Sequence, residues 1–304
     1  MKILVTGASG TIGTRLCELL LQDGEDVIGV DRVPNAWLSN VDAITKQIDL
    51  LHSEEMEALP NDIDIIVHLA ANARVYELVE HPGRALENMV TTFHVLEFAR
   101  KHDIKKIIFS SSREVYGNRK ADRYTEDMAH IEECESPYTA SKIAGEALVE
   151  AYRRCYDIDN IILRFSNVYG MYDNSVRVVP LFFRQTRANE KLTVFGKEKC
   201  LDFTYIDDTV SGIRKAMEKF DDAKNEVYNI AFGEGTTIVR LAERMKELTG
   251  STSDMNVQKS RRGEVTNYIA NIEKAHKAFG YEPTVSFEEG IEKTVKWYKE
   301  NTES

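Results

Sequence analysis

An apolar stretch near the start of the sequence, KILVTG (residues 2–7), leads directly into a loop with glycines at positions 7, 10 and 13. Residues 11–22 then have the pattern of a helix, so the loop joins a strand to a helix. Gly7, Gly10 and Gly13 let the backbone turn sharply and approach a pyrophosphate, while the start of the helix offers free N–H groups to phosphates. Such turns also occur for structural reasons alone, so the meaning of this one depends on the rest of the chain.

Short β-branched runs alternate with amphipathic helical stretches through the first half of the chain, which is typical of a parallel sheet covered by helices on both faces. The sequence predicts strands at 2–7, 26–31, 46–49, 64–70, 105–111 and 160–166. It predicts helices near 11–22, 53–58, 83–102 and 138–156. The predicted fold class is therefore α/β, with a Rossmann-type doubly wound parallel sheet.

The regular alternation decays after about residue 170, which indicates a second and smaller α/β domain for binding substrate. The predicted division is a nucleotide-binding domain at 1–168 and a substrate-binding domain at 169–304. Two apolar segments of the second part, 202–208 and 227–231, are predicted to rejoin the first domain. The boundary is therefore not expected to be a single cut.

The second predicted strand ends in Asp31, eighteen residues beyond Gly13. A carboxylate at this place can accept hydrogen bonds from the two hydroxyls of a ribose and would repel a 2′-phosphate, which favours NAD over NADP. The neighbouring Arg32 weakens that discrimination. The alternative is that Asp31 is only a turn residue ahead of Pro34, but the order of strand, loop, helix, strand and acid favours dinucleotide binding.

The segment SPYTASK places Tyr138 and Lys142 four residues apart, on one face of a helix that starts near the proline. A phenol ionises near pH 10, too high for a general base at neutral pH. A nearby ammonium and a positively charged nicotinamide ring would both favour the phenolate and lower the pKa of Tyr138. Taken alone, a Tyr–Lys pair at this spacing is more often a pair of exposed side chains on a helix surface, with no catalytic role.

The composition excludes several classes of function. With 39 Lys and Arg against 50 Asp and Glu, the net charge is −11, so neither nucleic acid nor a membrane is expected as a partner. Four cysteines without paired spacing, and no signal peptide, predict a cytoplasmic protein with reduced thiols. The seven histidines show no metal-binding spacing, so no metal site is expected.

Five motifs occur in order along the chain: GxxGxxG in the first loop, HLAA (68–71), SSREVYG (111–117), YTASK (138–142) and RFSNVYG (164–170). Together they resemble the extended short-chain dehydrogenase/reductase family, in particular its nucleotide-sugar epimerases and dehydratases of the UDP-glucose 4-epimerase type. The resemblance implies NAD as the cofactor and a nucleotide-diphosphate sugar, by default a UDP-sugar, as the substrate. It also implies a homodimer formed through the helices around 83–102 and 138–156.

The resemblance also implies roles for individual residues. Those implied to contact the cofactor are Gly7, Gly10, Thr11, Ile12, Gly13, Asp31, Arg32, Asp49, Leu50, Ala70, Ala71, Asn88, Ser110, Tyr138 and Lys142. Those implied to contact the substrate are Ser112, Arg113, Tyr138, Asn167, Val179, Phe195 and Arg261. Catalysis is implied for Ser112, Tyr138 as the base, Lys142 and, in a dehydratase or decarboxylase, Glu114.

Three of these assignments have plain alternatives or a complication. Asn167 could simply cap a strand end, and Arg261 and its neighbour Arg262 could lie on a solvated surface. The family usually has an arginine just before the DFTY segment that contacts the diphosphate, and here that position is Leu201. Lys199 or the arginine pair could compensate for its loss.

The adjacent residues Arg113 and Glu114 bear on the reaction, since epimerases more often have small or neutral residues there. A glutamate keeps a 4,6-dehydratase or glucuronate decarboxylase open, because it could carry a proton at the sugar C5. The neighbouring guanidinium is expected to lower the pKa of Glu114 and make it a poorer acid. The pair could instead form a surface salt bridge, or Arg113 could recognise a carboxylate at the sugar C6.

The sequence is interpreted as that of a nucleotide-sugar 4-epimerase using tightly bound NAD, with UDP-glucose and UDP-galactose, or the uronate pair, as substrates. The reaction would pass through a transient 4-keto sugar. A dehydratase or decarboxylase using Glu114 is the alternative enzyme. A non-catalytic NAD-binding protein is the alternative from another class, and the presence of Ser112, Tyr138 and Lys142 argues against it.

Overall fold

The computed structural model describes residues 1–302 and is built around a seven-stranded parallel sheet. Its strands follow the spatial order β10-β6-β5-β4-β1-β2-β3. Their bounds are β1 Lys2–Thr6, β2 Asp26–Asp31, β3 Thr45–Gln47, β4 Ile65–His68, β5 Lys106–Ser112, β6 Asp159–Phe165 and β10 Glu226–Ile230. The order reverses direction between β1 and β4, as in a doubly wound sheet, and leaves a crevice at the carboxyl ends of those strands.

Helices connect the strands and cover both faces of this sheet. Their bounds are α1 Thr11–Gln22, α2 Ser39–Ile44, α3 Val75–Glu80, α4 Gly83–Lys101, α5 Pro137–Tyr156, α6 Val178–Arg187, α7 Ile206–Glu218, α8 Phe220–Ala223, α9 Ile238–Thr249, α10 Glu273–Phe279 and α11 Phe287–Asn301. Short 3₁₀ helices lie at Ser53–Ala58, Arg113–Tyr116, Glu126–Met128 and Ile131–Glu133. Within residues 1–302, none of the helices combines the length and apolar character that crossing a bilayer requires.

The second half of the chain adds two smaller sheets. Their strands are β7 Asn167–Tyr169, β8 Leu192–Phe195, β9 Cys200–Tyr205, β11 Gly235–Thr237, β12 Met255–Gln258 and β13 Asn267–Tyr268. One sheet joins β7, β9, β11 and β13, and the other pairs β8 with β12. Strand β10 pairs with β6 in the large sheet, whereas β9 belongs to the smaller sheet and leads into α7. The division into domains at residue 168 stays a prediction.

The core lies on both faces of the large sheet because alternate residues of each strand point to opposite sides. In β1, Ile3 and Val5 belong to one buried apolar cluster and Leu4 to the other. In β5, Ile108 lies in the first cluster and Ile107 in the second. Each fully buried side chain of this size contributes about 1.5–3 kcal/mol of transfer free energy, so the strands are firmly fixed and their carboxyl ends can carry polar residues.

Candidate active site

A cavity of about 890 Å³ opens at the carboxyl ends of the parallel strands. All the residues for which the sequence implied a role in cofactor binding, substrate binding or catalysis line it: Gly7, Gly10, Thr11, Ile12, Gly13, Asp31, Arg32, Asp49, Leu50, Ala70, Ala71, Asn88, Ser110, Ser112, Arg113, Glu114, Tyr138, Lys142, Asn167, Val179, Phe195 and Arg261. Arg262, the other arginine considered for the phosphates, is exposed and is not part of this lining.

The glycine loop has no room for side chains. Gly7 has φ +74°, and a Cβ atom there would lie 2.8 Å from the backbone nitrogen of Ala70. A Cβ on Gly13 would lie 2.0 Å from the carbonyl oxygen of Gly7. Helix α1 therefore starts directly against the loop, with the N–H groups of its first turn facing the cavity mouth. This arrangement fits a dinucleotide pyrophosphate.

Asp31 ends β2 at the rim of the same cavity, and its carboxylate is held by two backbone groups. The N–H of Ser9 donates to Oδ2 at 3.0 Å, and the N–H of Val33 donates to Oδ1 at 3.2 Å. Burial raises the pKa of this carboxyl, while these N–H groups and Arg32 act to lower it. A fixed acid beside the glycine loop fits the two hydroxyls of an adenosine ribose.

Helix α5 presents the tyrosine and the lysine to the cavity. Ser136 caps its start, since the side-chain oxygen accepts the N–H of Thr139 at 3.1 Å, and Pro137 occupies the first turn. Lys142 is buried, and its Nζ donates to the carbonyl oxygen of Ser110 at 2.8 Å. Burial lowers the pKa of Lys142 to about 8, against the opposing effect of a nearby carboxylate on Glu146.

Tyr138 is also buried, and its pKa lies above the ordinary value because burial disfavours the phenolate. A hydrogen bond with Ser112 and the guanidinium groups of Arg177 and Arg113 lower this pKa, but burial outweighs them. The sequence predicts a lowered pKa for Tyr138. As far as the protein's own groups are concerned, that prediction is wrong. The Lys142 Nζ atom lies 6.0 Å from the centre of the Tyr138 ring.

Arg113 and Glu114 form a buried ion pair, not a surface one. The Arg113 Nη2 atom lies 2.7 Å from Glu114 Oε1, and the two side chains are only 8% and 4% exposed. Burial raises the pKa of Glu114, and this effect outweighs the opposing ones of Arg113 and Lys199. Both the surface salt bridge considered from the sequence and the expected lowering of the Glu114 pKa are therefore wrong, because neither took burial into account.

Asn167, which follows β6, orients the guanidinium of Arg113. Its Oδ1 accepts from Arg113 Nε at 3.2 Å, and its Nδ2 donates to the backbone oxygen of Asp202 at 3.2 Å. The backbone N–H of Glu114 in turn donates to Ser112 Oγ at 3.2 Å. These contacts connect the end of β6, the strand β9 and the serine that faces Tyr138.

The far end of the cavity is lined by the second half of the chain. The guanidinium of Arg261 lies 4.0 Å from the ring centre of Phe195 and 4.8 Å from that of Tyr76. Lys199 is held by Glu264, with 2.8 Å between Nζ and Oε2, and Leu201 stands buried on the same strand region. Of the residues considered as substitutes for the missing arginine, Arg261 is the one stacked between rings at the cavity wall.

Among the lining residues that sequence reasoning missed, three make contacts that bear on the site. Arg177 lies immediately before α6, the helix that carries Val179, and acts on the pKa of Tyr138. Tyr76 stacks on Arg261, and the backbone N–H of Asn72 donates to Asn88 Oδ1 at 2.7 Å. Their position in the sequence could have pointed to them, because each of the three lies within nine residues of one of the five motifs.

The fold defines the class of the protein, a Rossmann-type α/β enzyme. The model of the NAD-dependent epimerase/dehydratase family matches residues 3–231. A putative UDP-glucose 4-epimerase of Methanocaldococcus jannaschii is 32% identical over 308 residues, which cover 98% of this chain and 99% of that protein. The chain therefore belongs to the NAD-dependent epimerase/dehydratase family.

Solved structures agree with this assignment. The UDP-glucose 4-epimerase of Thermotoga maritima, determined with UDP-glucose, matches with a TM-score of 0.89 and 33% identity over 100% of both chains. The UDP-glucuronic acid 4-epimerase of Bacillus cereus, determined with UDP-glucuronic acid and NAD, matches with a TM-score of 0.88 and 30% identity over 99% of each chain. The predicted family, fold class and cofactor, NAD, are confirmed at the level of the family.

Proposed function

We propose that the protein is an NAD-dependent nucleotide-sugar 4-epimerase, with UDP-glucose and UDP-galactose as its default substrate pair. The observation that carries this proposal is that Ser112, Tyr138 and Lys142 line the same cavity as the glycine loop. A dinucleotide on the loop and a sugar beside the phenol can therefore meet. NAD bound on the glycine loop would supply hydride chemistry at the sugar C4, as the acceptor in the oxidation and the donor in the reduction.

The residues of the chain handle the proton. Tyr138 takes the proton of the C4 hydroxyl as the ketone forms and returns it when the alcohol is restored. Because Ser112 Oγ already accepts the N–H of Glu114, its own proton is available for Tyr138 or the sugar oxygen. Lys142 is proposed to hold the nicotinamide ribose and, as an ammonium, to favour the phenolate.

The rest of the cavity offers partners for the nucleotide. Val179 and Phe195 are proposed to clasp the base, and Arg261 is proposed to bind the diphosphate in place of the arginine missing at Leu201. The Oδ1 atom of Asn167 accepts from Arg113 and its Nδ2 donates one hydrogen to Asp202, so the second Nδ2 hydrogen is the one left for a phosphate. The homodimer is proposed through α4 and α5, and the cytoplasmic location stays a prediction from the sequence.

Acidic sugars are the second substrate class. The guanidinium groups of Arg113 and Arg177 both act on Tyr138, so a carboxylate at the sugar C6 would find positive charge near the reacting carbon. Glu114 already balances part of the Arg113 charge, which favours the neutral sugars of UDP-glucose and UDP-galactose over the uronates. The uronate pair is therefore kept as the direct competitor.

A dehydratase or UDP-glucuronate decarboxylase is the second candidate reaction, and the raised pKa of Glu114 favours it. A carboxyl group with a raised pKa is better suited than an ordinary glutamate to pass a proton to the leaving hydroxyl or to a carbanion. A non-catalytic NAD-binding role is the least supported, since the tyrosine, the lysine and the serine are all present in one cavity.

The test is to incubate the NAD-loaded protein with UDP-glucose and, separately, with UDP-glucuronate, and to resolve the products by NMR. UDP-galactose from the first establishes the proposed reaction, and UDP-galacturonate from the second alone moves it to the uronates. A 4-keto-6-deoxy sugar or a pentose would contradict epimerisation and support the role of Glu114. Tyr138→Phe is the inactive control, and Tyr156→Phe, on the exposed end of the same helix, is its active match.

A further inference from the structure

A second ion pair, with a buried arginine and a partly buried glutamate, lies outside the cavity lining. Glu146 of α5 makes a two-pronged contact with Arg164 of β6, with 2.9 Å between Nε and Oε1 and 2.7 Å between Nη2 and Oε2. The hydroxyl of Ser111 donates to Glu146 Oε1 at 2.5 Å. Ser111 and Arg164 are direct neighbours in the parallel register of β5 and β6. One carboxylate thus joins two adjacent strand ends to the helix that carries Tyr138 and Lys142.

The serine held by Glu146 sits between two residues of the proposed machinery. On one side, the carbonyl oxygen of Ser110 accepts from Lys142 Nζ. On the other side, Ser112 lines the cavity with Tyr138 and lowers the pKa of its hydroxyl. A shift of the peptide at Ser111 would move both contacts together. Holding such groups to within about 0.5 Å is what supporting residues do in catalytic sites.

Glu146 also lies one helical turn beyond Lys142, on the same face of α5. The ionisable groups around the lysine are His68 of β4, Tyr138 and Glu146 of α5. His68 stays neutral, because burial lowers its pKa to about 3. The ionisable groups around Glu146 are Arg164, Tyr116 and Glu126. Glu126 is one of them because its backbone oxygen accepts from Arg164 and its carboxylate accepts from the N–H of Asn229. Glu146 is therefore the one acid of this group that acts directly on the Lys142 ammonium.

We propose that Glu146 is a positioning residue for the reaction: it fixes the Ser110–Ser112 strand end against α5 and stabilises the charged form of Lys142. Arg164 holds the carboxylate in place, and its other nitrogen, Nη1, is anchored on the Tyr116 hydroxyl at 3.1 Å. This inference rests on the proposed function for the roles of Tyr138 and Lys142. It adds a residue that touches neither cofactor nor substrate.

The test is an ultraviolet titration of tyrosinate in the NAD-loaded protein, which needs no sugar. The step that disappears in Tyr138→Phe belongs to Tyr138. The positive nicotinamide ring lowers the Tyr138 step into the pH range in which Lys142 is still charged, so the earlier loss of the Lys142 proton in Glu146→Gln should move that step up by about one pH unit. Glu146→Asp, which keeps the charge, should leave the step in place. Glu150→Gln, one turn further and half-exposed, is the matched control and should change nothing.

Turnover supplies the second readout. We expect Glu146→Gln to lower kcat about tenfold at neutral pH, with KM within about twofold, and the loss to grow with pH. An equal loss of kcat at all pH values with no shift of the tyrosinate step would overturn the proposal, since a merely structural role predicts that result. If Glu146→Gln does not fold, Ser111→Ala must lower kcat several-fold at constant KM, and an unchanged kcat overturns the positioning role.

The two proposals fail in different ways. If no sugar nucleotide is turned over, the proposed function fails, yet the tyrosinate titration still decides whether Glu146 acts on the tyrosine and lysine. If sugars are epimerised but neither readout responds to Glu146→Gln, the proposed function stands and the role of Glu146 is refuted.

Discussion

Arg113 Nη2 lies 2.7 Å from Glu114 Oε1, although the two residues are neighbours in the chain and their side chains are almost fully buried. The 3₁₀ turn Arg113–Tyr116 brings both side chains to the same side of the strand end. Arg113 Nη1 and Glu114 Oε2 are buried without a hydrogen-bond partner among residues 1–302. Each member is therefore the main counter-charge of the other, with Lys199 adding a smaller effect on Glu114.

Removing one partner of this pair should lower the free energy of unfolding much more than removing both. We expect Arg113→Met to lower the free energy of unfolding by about 3 kcal/mol, because it leaves the buried Glu114 without its main counter-charge. Arg113→Met combined with Glu114→Gln should recover most of that loss. Urea denaturation measures both, with Arg154→Met in an exposed pair as the control at under about 1 kcal/mol. Equal losses in the single and double variants would refute the coupling.

Lys142→Met should abolish turnover and yet make the protein more stable at neutral pH. Burial lowers the Lys142 pKa from 10.5 to about 8, so the folded state holds the proton less tightly than the unfolded chain. Below pH 8 the charged lysine lowers the free energy of unfolding by the full amount that corresponds to this pKa difference, and Lys142→Met removes that loss. The variant also loses the hydrogen bond to Ser110, so the net gain in stability is about 2 kcal/mol.

The stability gain should shrink as the pH rises from about 8 towards 10.5, because the folded wild-type protein then becomes neutral first. Denaturation at a series of pH values checks this, with the exposed Lys101→Met as the control that leaves stability unchanged. A destabilised Lys142→Met variant at pH 7 would contradict the prediction.

Arg261 and Arg262 offer a matched pair for testing the phosphate site. Arg261→Ala should weaken the binding of UDP about ten- to a hundredfold, since a charge-assisted hydrogen bond contributes about 1.5–3 kcal/mol. Arg262→Ala removes the same charge from the exposed neighbour and should leave the affinity within about twofold. Isothermal titration with UDP measures both affinities, and equal effects of the two substitutions would assign the binding to general charge.

The proposed dimer face on α4 contains two exposed apolar side chains, Leu86 at 62% and Phe93 at 43% exposure. They are seven residues apart and so lie on one side of the helix. Leu86→Glu with Phe93→Glu should convert a dimer into monomers, as measured by analytical ultracentrifugation. Ile131 is also apolar and is 71% exposed, but it lies outside α4, so Ile131→Glu should leave the dimer intact. A wild-type monomer would refute this interface.

The first six strands of the large sheet, the helices α1, α4 and α5, and the glycine loop were predictable because short-range patterns determine them. The helix with Tyr138 and Lys142, predicted at 138–156, is Pro137–Tyr156 in the structure, and its proline and serine cap are local signals. The contact of Arg113 with Asn167, 54 residues further on, and that of Glu146 with Arg164 depend on which strands become neighbours. No local pattern carries that information.

The pKa directions of Tyr138 and Glu114 were missed for a related reason. The sequence shows which charges are close along the chain, and these favour the ionised forms. Burial acts the other way, and its size depends on the packing of distant segments around each group. Leu201 was visible in the sequence as a departure, but the stacking of Arg261 between Phe195 and Tyr76 was not.

The last strand to be added to the large sheet, Glu226–Ile230, pairs with Asp159–Phe165, which leaves the ribosome about 60 residues earlier. At roughly 5–20 residues per second, translation therefore leaves the edge of β6 without its partner for several seconds. During that time an apolar strand presents open N–H and C=O groups, which is the kind of edge that aggregates. Nascent chains that stall between these two strands would therefore expose β6 as an open edge, and a fragment cut near residue 168 lacks the strand that covers it.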